Sequence, residues 1–135
     1  MPKRTYIDSN ILIAAFLGQD DLSNSAFQLI DDKDRHLVAS DAVRLETLPK
    51  PHYEGNQIEV DFYETIFAYA EMLPWDTNVL YHAQQLAEEN GIAAMDAIHI
   101  SFAISAKVDE FVTKEKPTKP MFRVLDIPIR SISSA

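Results

Sequence analysis

Two carboxylates stand alone inside apolar stretches of the sequence, and their chemistry needs an explanation. Asp8 is the only charged residue in TYIDSNILIAAFLGQ (5–19), and Asp96 is the only formally charged residue in GIAAMDAIHISFAISA (91–106). A buried carboxylate is costly unless it is hydrogen-bonded, paired or bound to a cation. Asp8 is also suited to cap the helix that follows it. A position near a helix N-terminus gives Asp96 only about 0.3–1 kcal/mol, which does not offset its desolvation.

If these carboxylates face one cavity, their mutual repulsion must be relieved by protonation or by a cation. There is no cysteine, and the four histidines are not spaced like zinc ligands: His36, His52, His82 and His99. An all-oxygen site favours Mg²⁺ or Mn²⁺ instead. Such an ion, held by carboxylates, activates water and neutralises charge on a phosphate, so the expected chemistry is hydrolysis at phosphorus.

Two further polar residues have simpler interpretations. His99 follows Asp96 by three residues and so shares its helix face. A core histidine is favoured there over a partner of a metal ligand. Asp76, in LPWDTN, is interpreted as a helix cap rather than as a ligand.

Alternating strands and helices must position these carboxylates. Strands are predicted at 4–8, 36–40, 110–113, 122–125 and 127–132, and helices at 11–17, 22–32, 58–72, 78–90 and 94–106. A further short helix, capped by Ser40 or Asp41, runs through Glu46 and is stopped by the prolines and glycine of LPKPHYEGN (48–56). The alternation predicts an α/β fold, a three-layer α/β/α sandwich around a mainly parallel central sheet. Ligands bind such sheets outside the carboxyl ends of the strands.

Composition limits the class of protein. With 135 residues, 47% hydrophobic, the chain is expected to form a single domain over residues 1–135. The net charge is −9, but residues 107–130 hold six basic and four acidic residues, a local charge of +2 that leaves −11 elsewhere. This segment could meet a phosphate backbone, although solvated lysines are the commoner explanation. No apolar run suits a membrane span, and the start lacks a signal-peptide core, so a cytoplasmic protein without a membrane partner is expected.

The segments YIDSNILI, ASDAVRLE, MDAIHISFA and FVTKE, in this order, resemble the PIN-domain family. That family includes the ribonuclease toxins of prokaryotic toxin–antitoxin modules. The resemblance covers essentially the whole chain and implies a Mg²⁺- or Mn²⁺-dependent endoribonuclease whose products carry 5′-phosphate and 3′-hydroxyl ends. It also implies an RNA substrate, a small antitoxin protein whose tail fills the active-site groove, and a homodimer.

The resemblance assigns roles to individual residues. It implies a set of acidic residues that are catalytic and hold the metal: Asp8, Glu46, Asp96 and Glu115. Glu115 stands where family members usually have aspartate, and its extra methylene favours contact with the metal through water. Substrate-binding roles are implied for Asn10 and Thr113, which match polar positions of the family, and for Lys114 and Lys116, which could hold phosphates.

Other functions remain open at this stage. Glu115, its lysine neighbours and the overall charge also fit a catalytically silent PIN-like domain that binds RNA or protein. Glu46 and Glu115 could equally be ordinary surface residues. A receiver-like phosphoacceptor domain needs a pair of acids near the first strand, and MPKRTYID lacks that pair.

Overall fold

Five parallel strands form the central sheet, as the alternation of elements predicts. The computed structural model describes residues 1–133, so the last two residues of the predicted domain lie outside the described part. The strands are β1 (Lys3–Ile7), β2 (Arg35–Ser40), β3 (Glu71–Leu73), β4 (Glu110–Thr113) and β5 (Ile129–Ser131). Their order across the sheet is β3-β2-β1-β4-β5, and every neighbouring pair is parallel.

Helices connect the strands and cover the sheet. They are α1 (Ser9–Leu17), α2 (Asp21–Ile30), α3 (Asp41–Thr47), α4 (Pro49–Glu54), α5 (Gln57–Tyr69), α6 (Thr77–Asn90) and α7 (Ala94–Ser105). Parallel strands are joined by right-handed crossovers, so the reversal of direction after β3 puts α6 and α7 on the face opposite α1, α2 and α5. The predicted three-layer α/β/α architecture is therefore confirmed. None of the helices within residues 1–133 has both the length and the apolar character needed to cross a bilayer.

Caps fix the helices that approach the carboxyl edge of the sheet. The Asp8 carboxylate accepts a hydrogen bond from the Ser9 N–H at the start of α1, and Gly18 ends that helix in the left-handed region at φ 64°. Ser40 caps α3 through the Ala42 N–H. Asp76 caps α6, as expected from the sequence. Asp8 directly follows β1, and Ser40 is the last residue of β2. These caps therefore place the starts of α1 and α3 at one edge of the sheet.

The core lies on both sides of β1 and β4. Tyr6 of β1 stacks on Phe111 of β4, with ring centroids 5.3 Å apart. Ile7 and Val112 are paired in the same two strands and are buried. The site described below therefore stands at the ends of strands whose last residues are fully buried.

The structure differs from the predictions in three segments. Segment 122–125 is not a strand, because Pro120 opens a 3₁₀ helix over Pro120–Arg123. Segment 48–56 does not simply stop a helix, because Pro49 and Pro51 stand in the first turn of α4, where the backbone N–H they lack is not needed. The predicted helix 58–72 ends at Tyr69, and Glu71–Leu73 form the edge strand β3 along β2.

Candidate functional site

The site lies where the direction of the chain across the sheet reverses. β1 and β4 are neighbours, but the chain leaves β1 toward β2 on one side and leaves β4 toward β5 on the other. This arrangement opens a crevice outside the carboxyl ends of the two strands. Asp8 follows β1, and its N–H still donates to the carbonyl of Val112 in β4 at 3.0 Å. The residues that follow β1 and β4 therefore face each other at this crevice.

Asp8 is a buried carboxylate that is held at both oxygens. Its side chain is 8% exposed. Oδ1 accepts from the Ser9 N–H at 2.8 Å, and Oδ2 accepts from the Thr113 hydroxyl at 2.8 Å. Burial raises the pKa of Asp8, despite lowering by His99 and by these hydrogen bonds, and the Glu46 charge adds to the increase. Asp8 therefore both caps α1 and contributes a carboxylate to the site.

Glu46 reaches the same place from α3. Its Oε1 accepts from the Ser9 hydroxyl at 2.6 Å and lies 2.5 Å from His99 Nε2. The contact with His99 lowers the pKa of Glu46, so this carboxylate is ionised at neutral pH. Single ligand atoms of Asp8, Glu46 and His99 all lie within 4.8 Å of one another.

Asp96 stands in the first turn of α7 and is partly buried. Burial raises its pKa, and the charges of Asp8 and Glu115 raise it further. The charges of Asp8 and Glu115 therefore make ionisation of Asp96 more costly. The charge repulsion that the sequence predicts is present at this crevice.

Asn10 and Thr113 brace the crevice. The Thr113 hydroxyl donates to Asp8 and accepts from the Glu115 N–H at 3.1 Å and from the Asn10 amide at 3.2 Å. The Asn10 carbonyl oxygen accepts from the Lys114 N–H at 2.9 Å. These bonds tie α1 to the loop after β4 and set the position of Glu115. Substrate binding by Asn10 and Thr113 remains a prediction.

A basic cleft adjoins the acidic groups. It has a volume of about 510 Å³, and its lining includes Asn10, Glu115 and three lysines, Lys114, Lys116 and Lys119. Lys119 Nζ lies 3.8 Å from a Glu115 carboxylate oxygen. The cleft therefore combines cations that suit phosphate groups with the late acidic residue of the predicted set.

The donor set suits a hard divalent cation. Asp8 and Glu46 offer carboxylate oxygens, the ligands that Mg²⁺ and Mn²⁺ prefer. Within residues 1–133, Asp96 and Glu115 lie outside the close group that Asp8, Glu46 and His99 form. Burial is the largest cause of the raised pKa of Asp8 and of Asp96, and neighbouring carboxylates add to it: Glu46 for Asp8, and Asp8 and Glu115 for Asp96. A bound cation would relieve that repulsion.

Sequence reasoning found the carboxylates but not the groups that hold them. The hydrogen bonds of Ser9 to Glu46 and of Tyr6 to His99 join residues 37 and 93 positions apart. The sequence favours His99 as a core histidine, and His99 is buried, but it also contacts Glu46. Its spacing of three residues from Asp96 is the one feature of the sequence that places His99 near the site. The metal-binding and catalytic roles of the four acidic residues remain predictions.

Comparisons with known proteins agree with this architecture. A PIN-domain family model matches residues 5–117. No curated protein sequence matches the chain. Similar solved structures include a toxin–antitoxin complex from Klebsiella pneumoniae, with TM-score 0.73 and 17% identity over 91% of this chain and 94% of the other.

Two further structures are similar. One is DNA-bound VapBC from Salmonella typhimurium, with TM-score 0.71 and 18% identity over 99% of this chain and 98% of the other. The second is Mycobacterium tuberculosis VapC20, described as a toxin that cleaves the sarcin–ricin loop, with TM-score 0.65 and 14% identity over 79% of this chain and 86% of the other. At these identities the likeness shows the fold.

Proposed function

This chain belongs to the PIN-domain family, and on that premise we propose that it is a divalent-metal-dependent endoribonuclease, the toxin of a toxin–antitoxin pair. The observation that carries the proposal is the meeting of Asp8, after β1, and Glu46, from α3, at the crevice between β1 and β4, where their ligand atoms lie within 4.8 Å of each other. Asp96 of α7 lies near enough for the Asp8 charge to raise its pKa. Asp8 and Asp96 are held there although burial and neighbouring charges raise the pKa of both. Keeping such groups together has a cost that a structural role alone does not explain.

Asp8, Glu46 and Asp96 would hold Mg²⁺ or Mn²⁺, with Glu115 assisting through water. When bound, the ion supplies a more acidic water and stabilises negative charge on the phosphate. The chain's own part is to fix the ligands: Thr113 and the Ser9 N–H hold Asp8, and the Ser9 hydroxyl and His99 hold Glu46. Rigidly held ligands lower the reorganisation needed during the reaction.

RNA is the proposed substrate because the cleft beside the carboxylates carries lysines. Lys114 and Lys116 would contact phosphates on either side of the bond that is cut. In the hydrolysis, a water oxygen bonds to phosphorus and the bond from phosphorus to the 3′-oxygen breaks. A proton from the water passes to that leaving oxygen, which gives one 5′-phosphate and one 3′-hydroxyl end.

The test is cleavage of a 5′-labelled single-stranded or loop RNA by the purified chain. Cutting is expected with Mn²⁺ or Mg²⁺, it should stop with EDTA, and it should leave 5′-phosphate ends. Because water is the nucleophile, a substrate with a 2′-O-methyl group at the cut site should still be cleaved. Products that end in a cyclic phosphate would contradict the proposal and indicate a metal-independent nuclease.

Matched variants identify the source of the activity. Asp8→Asn and Asp96→Asn are each expected to abolish cutting, since each removes a ligand charge. Asp126→Asn makes the same change of charge at an exposed loop position before β5 and should cut like the wild type. Equal cutting by the wild type and Asp96→Asn would favour the silent RNA- or protein-binding module.

A protein partner is proposed from a second surface. An apolar groove of about 420 Å³ runs between α1, α2 and α5, and exposed Phe27, Ile58 and Tyr69 line it beside Asp31 and Asp61. An amphipathic segment of an antitoxin with basic side chains would fit this groove. Coexpression with the small protein encoded by the neighbouring reading frame should give a complex, and Phe27→Glu should weaken it. Light scattering of the chain alone tests the proposed homodimer.

A further inference from the structure

His99 is held at both ring nitrogens, and this makes its protonation state a structural question. The side chain is fully buried. Nδ1 lies 2.8 Å from the Tyr6 hydroxyl, and Nε2 lies 2.5 Å from Glu46 Oε1. A neutral imidazole donates from one nitrogen and accepts at the other, so the partner of Nδ1 decides what Nε2 can do. Only an unprotonated Nε2 could bind a metal ion.

Ser40 sets the direction of the hydrogen bonds. Its hydroxyl oxygen accepts from the Ala42 N–H at 3.2 Å and lies 2.7 Å from the Tyr6 hydroxyl. Within residues 1–133, the Tyr6 oxygen is the one acceptor within reach of the Ser40 hydroxyl hydrogen. Ser40 is fully buried, and leaving its hydrogen unmatched would cost about 1–3 kcal/mol. Ser40 therefore donates to Tyr6.

The rest of the chain of hydrogen bonds follows from this first bond. Tyr6 accepts from Ser40, so its own hydrogen is free to be donated to His99 Nδ1. A tyrosine hydroxyl has an ordinary pKa of about 10, so that hydrogen is present at neutral pH. In the reverse direction, His99 Nδ1 would donate to Tyr6 and Tyr6 would donate to Ser40. The Ser40 hydrogen would then have no acceptor, and the Nε2 lone pair of a neutral ring would point at a carboxylate oxygen 2.5 Å away.

We propose that Ser40 and Tyr6 fix His99 as the tautomer protonated at Nε2, so that His99 positions the Glu46 carboxylate and is not itself a metal ligand. His99, Tyr6 and Ser40 are positioning residues that act through Glu46. The distances alone would admit His99 as a ligand, since its ring lies within the group of potential ligand atoms. The consequence for the metal rests on the proposed function, whereas the tautomer is a property of the metal-free protein.

Nitrogen NMR of the metal-free protein tests the tautomer. Two-bond proton–nitrogen correlations distinguish the two neutral tautomers and the imidazolium, and the His99→Gln variant assigns the His99 signals among the four histidines. The result expected at pH 8 is a neutral ring protonated at Nε2. A ring protonated at Nδ1, or an imidazolium, would overturn the proposal whatever the protein does to RNA.

Mn²⁺ titrations test the positioning role. Tyr6→Phe keeps the ring that stacks on Phe111 but removes the donor to Nδ1, and we expect about tenfold weaker Mn²⁺ binding. Tyr63→Phe is the matched control, because it removes a buried tyrosine hydroxyl that donates to Glu59 within α5. It should bind Mn²⁺ like the wild type.

Substitution of His99 itself tests whether Glu46 needs a polar partner at this position. His99→Gln can still donate an N–H toward Glu46 and should bind Mn²⁺ more tightly than His99→Leu. Equal losses in the two variants, or wild-type binding by Tyr6→Phe, would refute the positioning role. If the wild type binds no Mn²⁺, the proposed function fails, while the NMR measurement still decides the tautomer.

Discussion

Neutralising Asp96 should reveal the free-energy cost of holding the carboxylates close together in the folded protein. In the folded protein, burial and the charges of Asp8 and Glu115 raise the pKa of Asp96. Within residues 1–133 its side chain makes no hydrogen bond that the substitution Asp96→Asn would break. The metal-free variant is therefore expected to melt at or above the temperature of the wild type, although polar substitutions in a packed region usually destabilise.

With Mn²⁺ present, the wild type should instead melt at a higher temperature than Asp96→Asn. At a hundredfold excess over its dissociation constant, an ion that binds only the folded state stabilises by about 2.7 kcal/mol. For a domain of this size that corresponds to roughly 8–13 °C. If the loss of one carboxylate charge weakens the site a hundredfold, the same concentration stabilises the variant by only about 0.4 kcal/mol, or roughly 1–2 °C.

Four thermal melts test this reasoning, namely wild type and Asp96→Asn, each with EDTA or with Mn²⁺. Asp126→Asn, which neutralises an exposed carboxylate, is the control and should respond to Mn²⁺ like the wild type. Asp8→Asn should melt below Asp96→Asn without metal, because it disturbs the bond donated by Thr113. A wild-type melt that ignores Mn²⁺, together with an Asp96→Asn variant that is simply less stable, would refute the account of the carboxylates.

Three further predictions concern pH, the late acid and the opposite edge of the sheet. The folded state raises the pKa of Asp96, so Asp96 binds a proton more readily in the folded protein than in the unfolded chain; its contribution to the stability of the metal-free protein therefore falls as pH rises through that raised pKa. In EDTA, the advantage of Asp96→Asn in melting temperature should be small below roughly pH 4, the ordinary range of an aspartate, and should grow as pH rises through the raised pKa of Asp96; an advantage that does not change with pH would contradict this. Glu115→Gln should reduce RNA cutting by about tenfold, less than Asp96→Asn does, because Glu115 acts through water; complete loss would make it a direct ligand. Glu110 is buried and accepts hydrogen bonds from Thr5, Arg35 and Arg130, so Glu110→Gln should lower the free energy of unfolding by about 2–4 kcal/mol in urea while Mn²⁺ affinity is unchanged.

Local patterns were sufficient to predict most of the layers of the fold. β1, β2 and β4 are short strands that begin with charged residues and continue into buried, mostly apolar ones. α6 and α7 have helical periodicity with clear ends, such as Gly91 after α6. β3 could not be predicted, because three residues that continue the pattern of α5 become a strand only by pairing with β2. Segment 122–125 resembles a strand in composition, but its first residues belong to a 3₁₀ helix. The strand that pairs with β4 begins only at Ile129.

The site was predictable to the extent that isolated charges in apolar sequence are unusual. Asp8 and Asp96 were evident for that reason. Glu46 carries no such signal, since its side chain is 33% exposed, and only the family resemblance indicated it. The contacts that hold Glu46 come from Ser9 and His99, which are distant in sequence and become neighbours only when the sheet forms.

Anomalous scattering from a Mn²⁺-soaked crystal tests most directly whether these carboxylates hold a metal ion. A peak is expected at the crevice between β1 and β4, within coordination distance of carboxylate oxygens of Asp8, Glu46 and Asp96. The same soak of Asp96→Asn crystals should give a peak that is much weaker or absent. Full occupancy at another position, or no peak at these carboxylates in the wild type, would show that they do not form the metal site.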